Sequence, residues 1–302
     1  VVPEDEDKEK HVEILVVRRV PLVGWFVLAS ATALQASGAL VFAGASKSGI
    51  DLEASTLWRP MAASISVLPL VLVRRFLSYE KETPPEVGVK DVAFPLAFGS
   101  VAFFFANAAY QAAFALTSSP NNVVLLGALT PVFVVLARAA KVFGTVPNGG
   151  EVLGTAISLL GALLCGIFSP ESGDDDAEER PQQDGENRPV AAMLLCIFSV
   201  CCHACYSMAN KNCRPVLAGP DLHLFRNLSS AAINIALQFT LEPAKASKCF
   251  FSMDPQHGAF GFLSKARLPT YLYCGLAVDT GGTMGYVVAL AYFDPLVTTI
   301  AS

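Results

Sequence analysis

The chain has 302 residues, of which 53% are hydrophobic and 16% are charged, and its mean hydropathy is +0.49. Soluble domains carry about 25% charged residues, so the composition excludes an ordinary soluble domain and predicts an integral membrane protein that has the lipid bilayer as a partner. Much of the acid behind the net charge of -5 lies in two short segments, and a basic surface is absent, so we expect no nucleic acid as a partner.

Long apolar stretches follow one another along the chain. A helix rises 1.5 Å per residue, so it needs roughly 20 apolar residues to cross a hydrocarbon core about 30 Å thick. In chain order, the stretches that meet this condition predict membrane-spanning helices over 20–46, 54–77, 92–116, 119–141, 150–169, 189–211, 221–241 and 268–293. A ninth helix begins near Asp294, and only about two turns of it are present. The predicted fold class is an all-α membrane protein.

The segments outside these helices set the orientation and the domain boundaries. Lys and Arg are concentrated in residues 1–19 and in the second, fourth and sixth connections, so these predict the cytoplasmic side. Residues 170–188 are acidic and rich in Gly, Gln and Pro, which predicts a flexible linker. The connection 242–267 departs from the rule, because it is basic on the opposite side. The sequence leaves open whether the membrane is the plasma membrane or that of an organelle.

An internal repeat relates the two parts of the chain. Residues 57–63 resemble residues 224–230, with Arg59 and Arg226 at equivalent positions. Each copy has five predicted helices, and because five is odd the second copy starts from the opposite side of the membrane. We therefore expect an inverted repeat of two five-helix halves, 20–169 and 189–302, with the second half truncated within its fourth helix. Secondary transporters are commonly built this way, with the substrate near the midplane.

These residues resemble the EamA-type members of the drug/metabolite transporter superfamily. The resemblance rests on Arg59 and Arg226, on the end of the third helix at 113–120, on the motif 129–133 and on the Gly-rich fifth helix at 152–164. It implies ten helices in two five-helix halves, a central cavity and alternating access. The motifs are degenerate and name no substrate.

Asp279 is the strongest candidate for a functional residue. A charge at the centre of a bilayer costs from about 3 kcal/mol upwards, so an intramembrane carboxylate is a functional candidate by default. It predicts a proton-coupling group or a ligand for a substrate amine. The alternative is a permanent pair with an arginine or a cap from a threonine. Gly281 and Gly282 follow it and weaken the helix, which makes them hinge candidates together with the mid-helix Pro131.

Other polar residues in the apolar helices are candidates for substrate binding. Arg59 and Arg226 could neutralise an anionic substrate, although the favoured interpretation is that both snorkel to the interface. Asn107, Tyr110 and Gln111 share one helix face, which suits either a binding site or interhelical hydrogen bonding.

Weaker candidates occur in three further helices. Gln35 in the first helix and Asn122 at the start of the fourth resemble the polar trio, but interhelical hydrogen bonding is favoured for both. The sixth helix carries His203 among cysteines such as Cys202 and Cys205, but these side chains do not converge as a zinc site requires. We therefore expect no metal.

The predicted function is movement of a small polar metabolite by alternating access. The expected partners are a small-molecule substrate and a coupling proton, and a homodimer is compatible with the fold. No phosphate loop, nucleophile elbow or zinc-binding helix occurs, so we expect neither a cofactor nor enzymatic activity. An organellar antiporter of nucleotide sugars or sugar phosphates is the runner-up. A multi-span scaffold or receptor and an intramembrane enzyme are the rivals of other classes.

Overall fold

The computed structural model describes residues 22–46, 50, 52–77, 92–116, 123, 126–127, 129–139, 149–168, 188–244, 252–290 and 292–293. The described residues form an all-helical fold, as predicted. Its first seven helices are α1 (Leu22–Ser46), α2 (Leu52–Leu77), α3 (Ala93–Ala115), α4 (Thr130–Ala139), α5 (Gly149–Phe168), α6 (Pro189–Cys213) and α7 (Gly219–Leu241). Except for α4, each of these begins and ends within two residues of its predicted bounds.

Three helices of the described part are long and apolar enough to cross a membrane, namely the segments Ala54–Phe76, Ala93–Ala115 and Pro189–Cys213. This supports a membrane protein at the level of helix length and composition. The apolar parts of α1, α4 and α5 that meet the hydropathy condition are shorter. The remaining predicted spans therefore stay predictions.

The sequence predicted the fourth helix as one continuous span, and the structure differs from that prediction. Leu129 lies in a turn, and tight hydrogen bonds join Leu129 N to Leu126 O at 3.0 Å and Val132 N to Leu129 O at 3.0 Å. Helix α4 then begins at Thr130, so Pro131 is its second residue. The prediction that Pro131 lies in mid-helix is corrected. A backbone N–H in the first turn of a helix has no partner within that helix, so a proline there removes no hydrogen bond.

Helix α8 is wound unevenly. It consists of an α-helical turn at Leu268–Tyr273, a π-helical middle at Cys274–Thr283 and a second α-helical stretch at Met284–Ala289. In the wide turns, Thr280 Oγ1 donates to Gly275 O at 2.6 Å, five residues back. The sequence predicted one regular helix here, and the difference matters because π-helical turns are rare and occur frequently at functional sites.

Helix α8 packs in the groove between α1 and α2, while α3 packs against α6 and α7, and α2 packs against α7. The adjacent glycines Gly281 and Gly282 of α8 face α1. A Cβ on Gly281 would lie 2.6 Å from Leu34 Cδ1, and one on Gly282 would lie 2.9 Å from Gln35 Cγ. These glycines therefore let two helices approach closely, as small residues do in membranes. Their hinge role stays a prediction, as does that of Pro131.

Candidate functional site

A buried ion pair joins α2 to α8. Arg59 Nε lies 3.1 Å from Asp279 Oδ1, and the two side chains are 12% and 0% exposed. Asp279 lies in the π-helical part of α8, where Thr283 Oγ1 also approaches Oδ1 at 3.5 Å. Two charges removed from water in this way depend on one another, because losing either partner leaves the other buried and uncompensated.

Asn107 brings α3 into the same cluster. Its Oδ1 accepts a hydrogen bond from Arg59 Nη1 at 2.7 Å, while its Nδ2 donates to Phe103 O at 2.8 Å. One helical turn further along α3, Gln111 Oε1 accepts from Ser55 Oγ at 2.8 Å. We call Arg59, Asn107 and Asp279 the central triad. It holds together three helices, and its charged groups point into the bundle.

The snorkelling interpretation of the two arginines is therefore wrong for the described structure. Arg226 is fully buried, and it contacts the start of α3 and the end of α6. Its Nε donates to Asn210 Oδ1 at 3.2 Å and its Nη1 donates to Ser100 Oγ at 2.9 Å. The same guanidinium also donates to the carbonyl oxygens of Pro95 and Leu96. Neutral acceptors thus surround this cation, whereas a carboxylate faces Arg59.

The other predicted site residues make contacts of their own outside the hydrogen bonds of the central triad. The ring of Tyr110 packs at 4.8 Å and 88° against that of Phe114, in an apolar cluster with Val123 and Cys196. Gln35 lies against Gly282, at the contact of α1 with α8. Asn122 lies outside the described residues. The structure therefore brings Asp279, Arg59 and Asn107 together and places Gln111 one turn away.

Two participants were not named as site residues from the sequence, namely Ser55 and Thr283, although a threonine contact to Asp279 was among the alternatives. Each lies four residues from a member of the triad on the same helix, Ser55 before Arg59 and Thr283 after Asp279. The i, i+4 spacing of hydroxyl and charged residues was the available signal, because such side chains share a helix face.

A polar pair also joins α7 to α2. Asn234 Nδ2 of α7 donates to Thr56 Oγ1 of α2 at 2.7 Å. Within the described ranges, no three His, Cys, Asp or Glu side chains gather as a metal site would require.

Comparison with known proteins shows a similar fold and nothing finer. No protein-family model matches the chain, and no curated protein matches it. A solved crystal structure, described only as that of a protein, superposes with a TM-score of 0.62 at 15% sequence identity. The match covers 92% of this chain and 82% of the other. At this identity the similarity concerns the arrangement of helices alone.

Proposed function

We propose that the protein is a multi-pass secondary transporter that moves a small polar metabolite by alternating access. The observation that carries the proposal is the central triad, in which Arg59 and Asp279 form a buried ion pair between α2 and α8. These helices belong to different predicted halves of the chain. Intramembrane charges are costly and mark substrate or proton pathways, so a buried pair across the two halves suits a transport site.

Helix packing supports the inverted repeat on which alternating access depends. A two-fold axis in the membrane plane would exchange α1 with α6, α2 with α7 and α3 with α8. Under this exchange, the packing of α1 on α8 corresponds to that of α6 on α3, and the packing of α2 on α8 corresponds to that of α7 on α3. The contact of α2 with α7 maps onto itself. This symmetry is the one that the EamA-type resemblance implies.

In the proposed mechanism the two halves rock against each other around the triad. Separation of α2 from α8 withdraws Arg59 from Asp279, and the carboxylate then needs another positive partner. A proton or the amino group of a substrate fills that role. Asn107 holds the guanidinium in place meanwhile, because it accepts a hydrogen bond from Arg59 Nη1. Transport thus exchanges one partner of Asp279 for another.

Uptake into proteoliposomes tests the proposal. A panel of small polar metabolites is screened with and without an imposed proton gradient, and the Asp279→Asn variant is then compared with the unchanged protein. The variant keeps the shape of the side chain and removes its titration, so gradient-driven uptake should fall to background while exchange without a gradient persists. Unchanged uptake with unchanged pH dependence would show that the carboxylate is structural.

Asp221→Asn is the matched control for this substitution. Asp221 is a carboxylate that pairs with Arg74 and lies 3.7 Å from Arg75 Nη2, outside the triad. This control should retain uptake. Asp279→Asn leaves the Arg59 charge without its carboxylate, so both variants are checked for monodispersity. The double variant Arg59→Gln/Asp279→Asn removes both charges and should regain the fold if the single variant loses it.

A scaffold or receptor without transport is the second candidate. The observation in its favour is that Asn107, Asn234 and the Oε1 atom of Gln111 already have protein partners, although the buried Gln111 Nε2 has none within the described residues. A scaffold predicts no uptake of any metabolite and full tolerance of neutral substitutions that preserve packing. The antiporter of nucleotide sugars gains no such support, because the donors of Arg226 are directed at protein acceptors.

A further inference from the structure

The described part of the connection before α8, residues 252–267, packs on the end of the bundle at which α2 and α8 begin. Residues 252–267, the latch segment, turn on backbone hydrogen bonds from Gly258 N to Asp254 O at 3.1 Å and from Phe260 N to Ser252 O at 3.2 Å. A short 3₁₀ turn, Gly261–Leu263, follows. This arrangement gives the segment a defined shape.

Trp58 of α2 anchors the latch segment. Its side chain is fully buried, and its Nε1 donates to Gly258 O at 2.7 Å across 200 residues of sequence. The indole also meets the ring of Tyr271 edge-on, with centroids 5.2 Å apart. Phe262 of the segment completes the apolar cluster. Residues 258–262 of the latch segment are therefore packed against α2 and α8, whereas residues 253–257 are exposed.

Two glycines make this fit close. A Cβ on Gly261 would lie 2.4 Å from Trp58 Cζ2 and 2.1 Å from Asp254 O, and a Cβ on Gly258 would lie 2.2 Å from Ser252 O. No side chain fits at either position without displacement of the segment. The segment and the tryptophan are thus matched in shape.

The residues that anchor the latch segment adjoin the central triad along their helices. Trp58 precedes Arg59 on α2, and Tyr271 lies eight residues before Asp279 on α8. Helices α2 and α8 are also in close contact at Gly275, where a Cβ would lie 2.8 Å from Ala62 O. Trp58 and Tyr271 therefore lie on the side of Asp279 that faces the latch segment.

We propose that Trp58 and the latch segment form a gate that closes this end of the path to the Arg59–Asp279 pair. The inference rests on the proposed transport function and adds the residues that control access to its site. Opening requires the Trp58–Gly258 hydrogen bond to break and the segment to lift from the indole, so both positions set the population of the open state.

Thiol labelling at Cys274 reads the gate without any substrate. Cys274 is 1% exposed and lies one turn beyond Tyr271, whereas Cys213 is 0% exposed and lies beside Arg226 at the end of α6. The full chain in lipid nanodiscs is exposed to N-ethylmaleimide, and mass spectrometry follows both residues in the same sample. Cys213 serves as the internal reference for general loosening of the fold.

Two variants should speed labelling of Cys274 and leave Cys213 unchanged. Trp58→Phe keeps an aromatic ring and removes the donor to Gly258. The labelling rate of Cys274 should then rise about fivefold, because this is the change in population that the loss of one ordinary hydrogen bond produces. Gly261→Ala displaces the segment from the indole and should raise it about tenfold or more. Gly149→Ala is the matched control, because a Cβ there meets nothing within 4 Å.

An unchanged labelling rate at Cys274, or an equal rise in the labelling rate at Cys213, would contradict the proposed gate. This result is separable from the transport assay, because labelling requires no transported solute. If Asp279→Asn changes uptake and the latch variants leave labelling unchanged, the gate alone fails. If labelling rises as expected and no metabolite is taken up, the transport function fails and the latch remains a moving cover.

Discussion

Arg59 and Arg226 occupy equivalent positions of the repeat, but different partners stabilise their guanidinium groups. Arg59 faces a carboxylate, whereas Arg226 is surrounded by neutral oxygens from the start of α3 and the end of α6. A buried cation without a counter-charge is tolerated only where several acceptors converge on it. Gly99 makes that convergence possible, because its missing side chain leaves room for the guanidinium.

Gly99→Ala should destabilise the fold through Arg226. The added Cβ would lie 2.4 Å from Nη2 and 2.6 Å from Cζ of this buried side chain. Overpacking of this kind costs about 1–3 kcal/mol, so the unfolding temperature in detergent should fall clearly. Gly161→Ala is the control, since a Cβ there meets nothing within 4 Å and alanine favours a helix. Equal unfolding temperatures for the two variants would contradict this account of Arg226.

At the scale of elements, the latch segment depends on a turn that one carboxylate organises. Asp254 Oδ1 accepts hydrogen bonds from the backbone N–H groups of Gln256 at 2.8 Å and His257 at 3.0 Å. These bonds stabilise the charged form and therefore lower the pKa of the Asp254 carboxyl. The stability of the latch segment, which covers Trp58, thus depends on the ionisation of Asp254, an exposed residue.

Acid should loosen the latch segment. Because the pKa of Asp254 is lowered in the folded segment, its contribution to stability is fully present above the unfolded value of about 3.9 and is lost as the pH falls through the lowered pKa. Trp25→Phe leaves Trp58 as the sole tryptophan, so its emission reports on the segment. The emission should shift to the red in this acidic range.

Asp254→Asn is the reference for that measurement. The amide cannot titrate, so in the Trp25→Phe background its emission should change less between neutral pH and the acidic range. The same red shift in both proteins would assign the acid response to another group.

At the scale of the whole molecule, long helices define two opposite ends of the bundle. Helix α2 has 26 residues, so it extends about 39 Å and exceeds the hydrocarbon thickness. Its start meets the latch segment, and its last turn carries Arg74, which pairs with Asp221 at the start of α7. The two ends of α2 are therefore each fixed by a different part of the second half.

Cysteines introduced at these two ends should be labelled from opposite sides of the membrane. Gln256→Cys places a thiol in the exposed part of the latch segment, and Phe76→Cys places one at the end of α2, where the side chain is 81% exposed. In sealed vesicles of one orientation, an impermeant maleimide should modify only one of them. Predicted orientation assigns Phe76 to the cytoplasmic side. Labelling of both from the same side would contradict the predicted topology.

The sequence by itself determined the helical class and most helix bounds, because a bilayer demands long apolar segments whose backbone bonds internally. It also singled out Asp279, since an intramembrane charge stands out in such a segment. Only the tertiary structure decided that the partner of Asp279 is Arg59, 220 residues away, and that neutral acceptors surround Arg226 within the part of the chain that the structure describes. The start of α4 at Thr130 and the π-helical turns of α8 likewise depend on how neighbouring helices pack, and packing between distant segments leaves no local pattern in the chain.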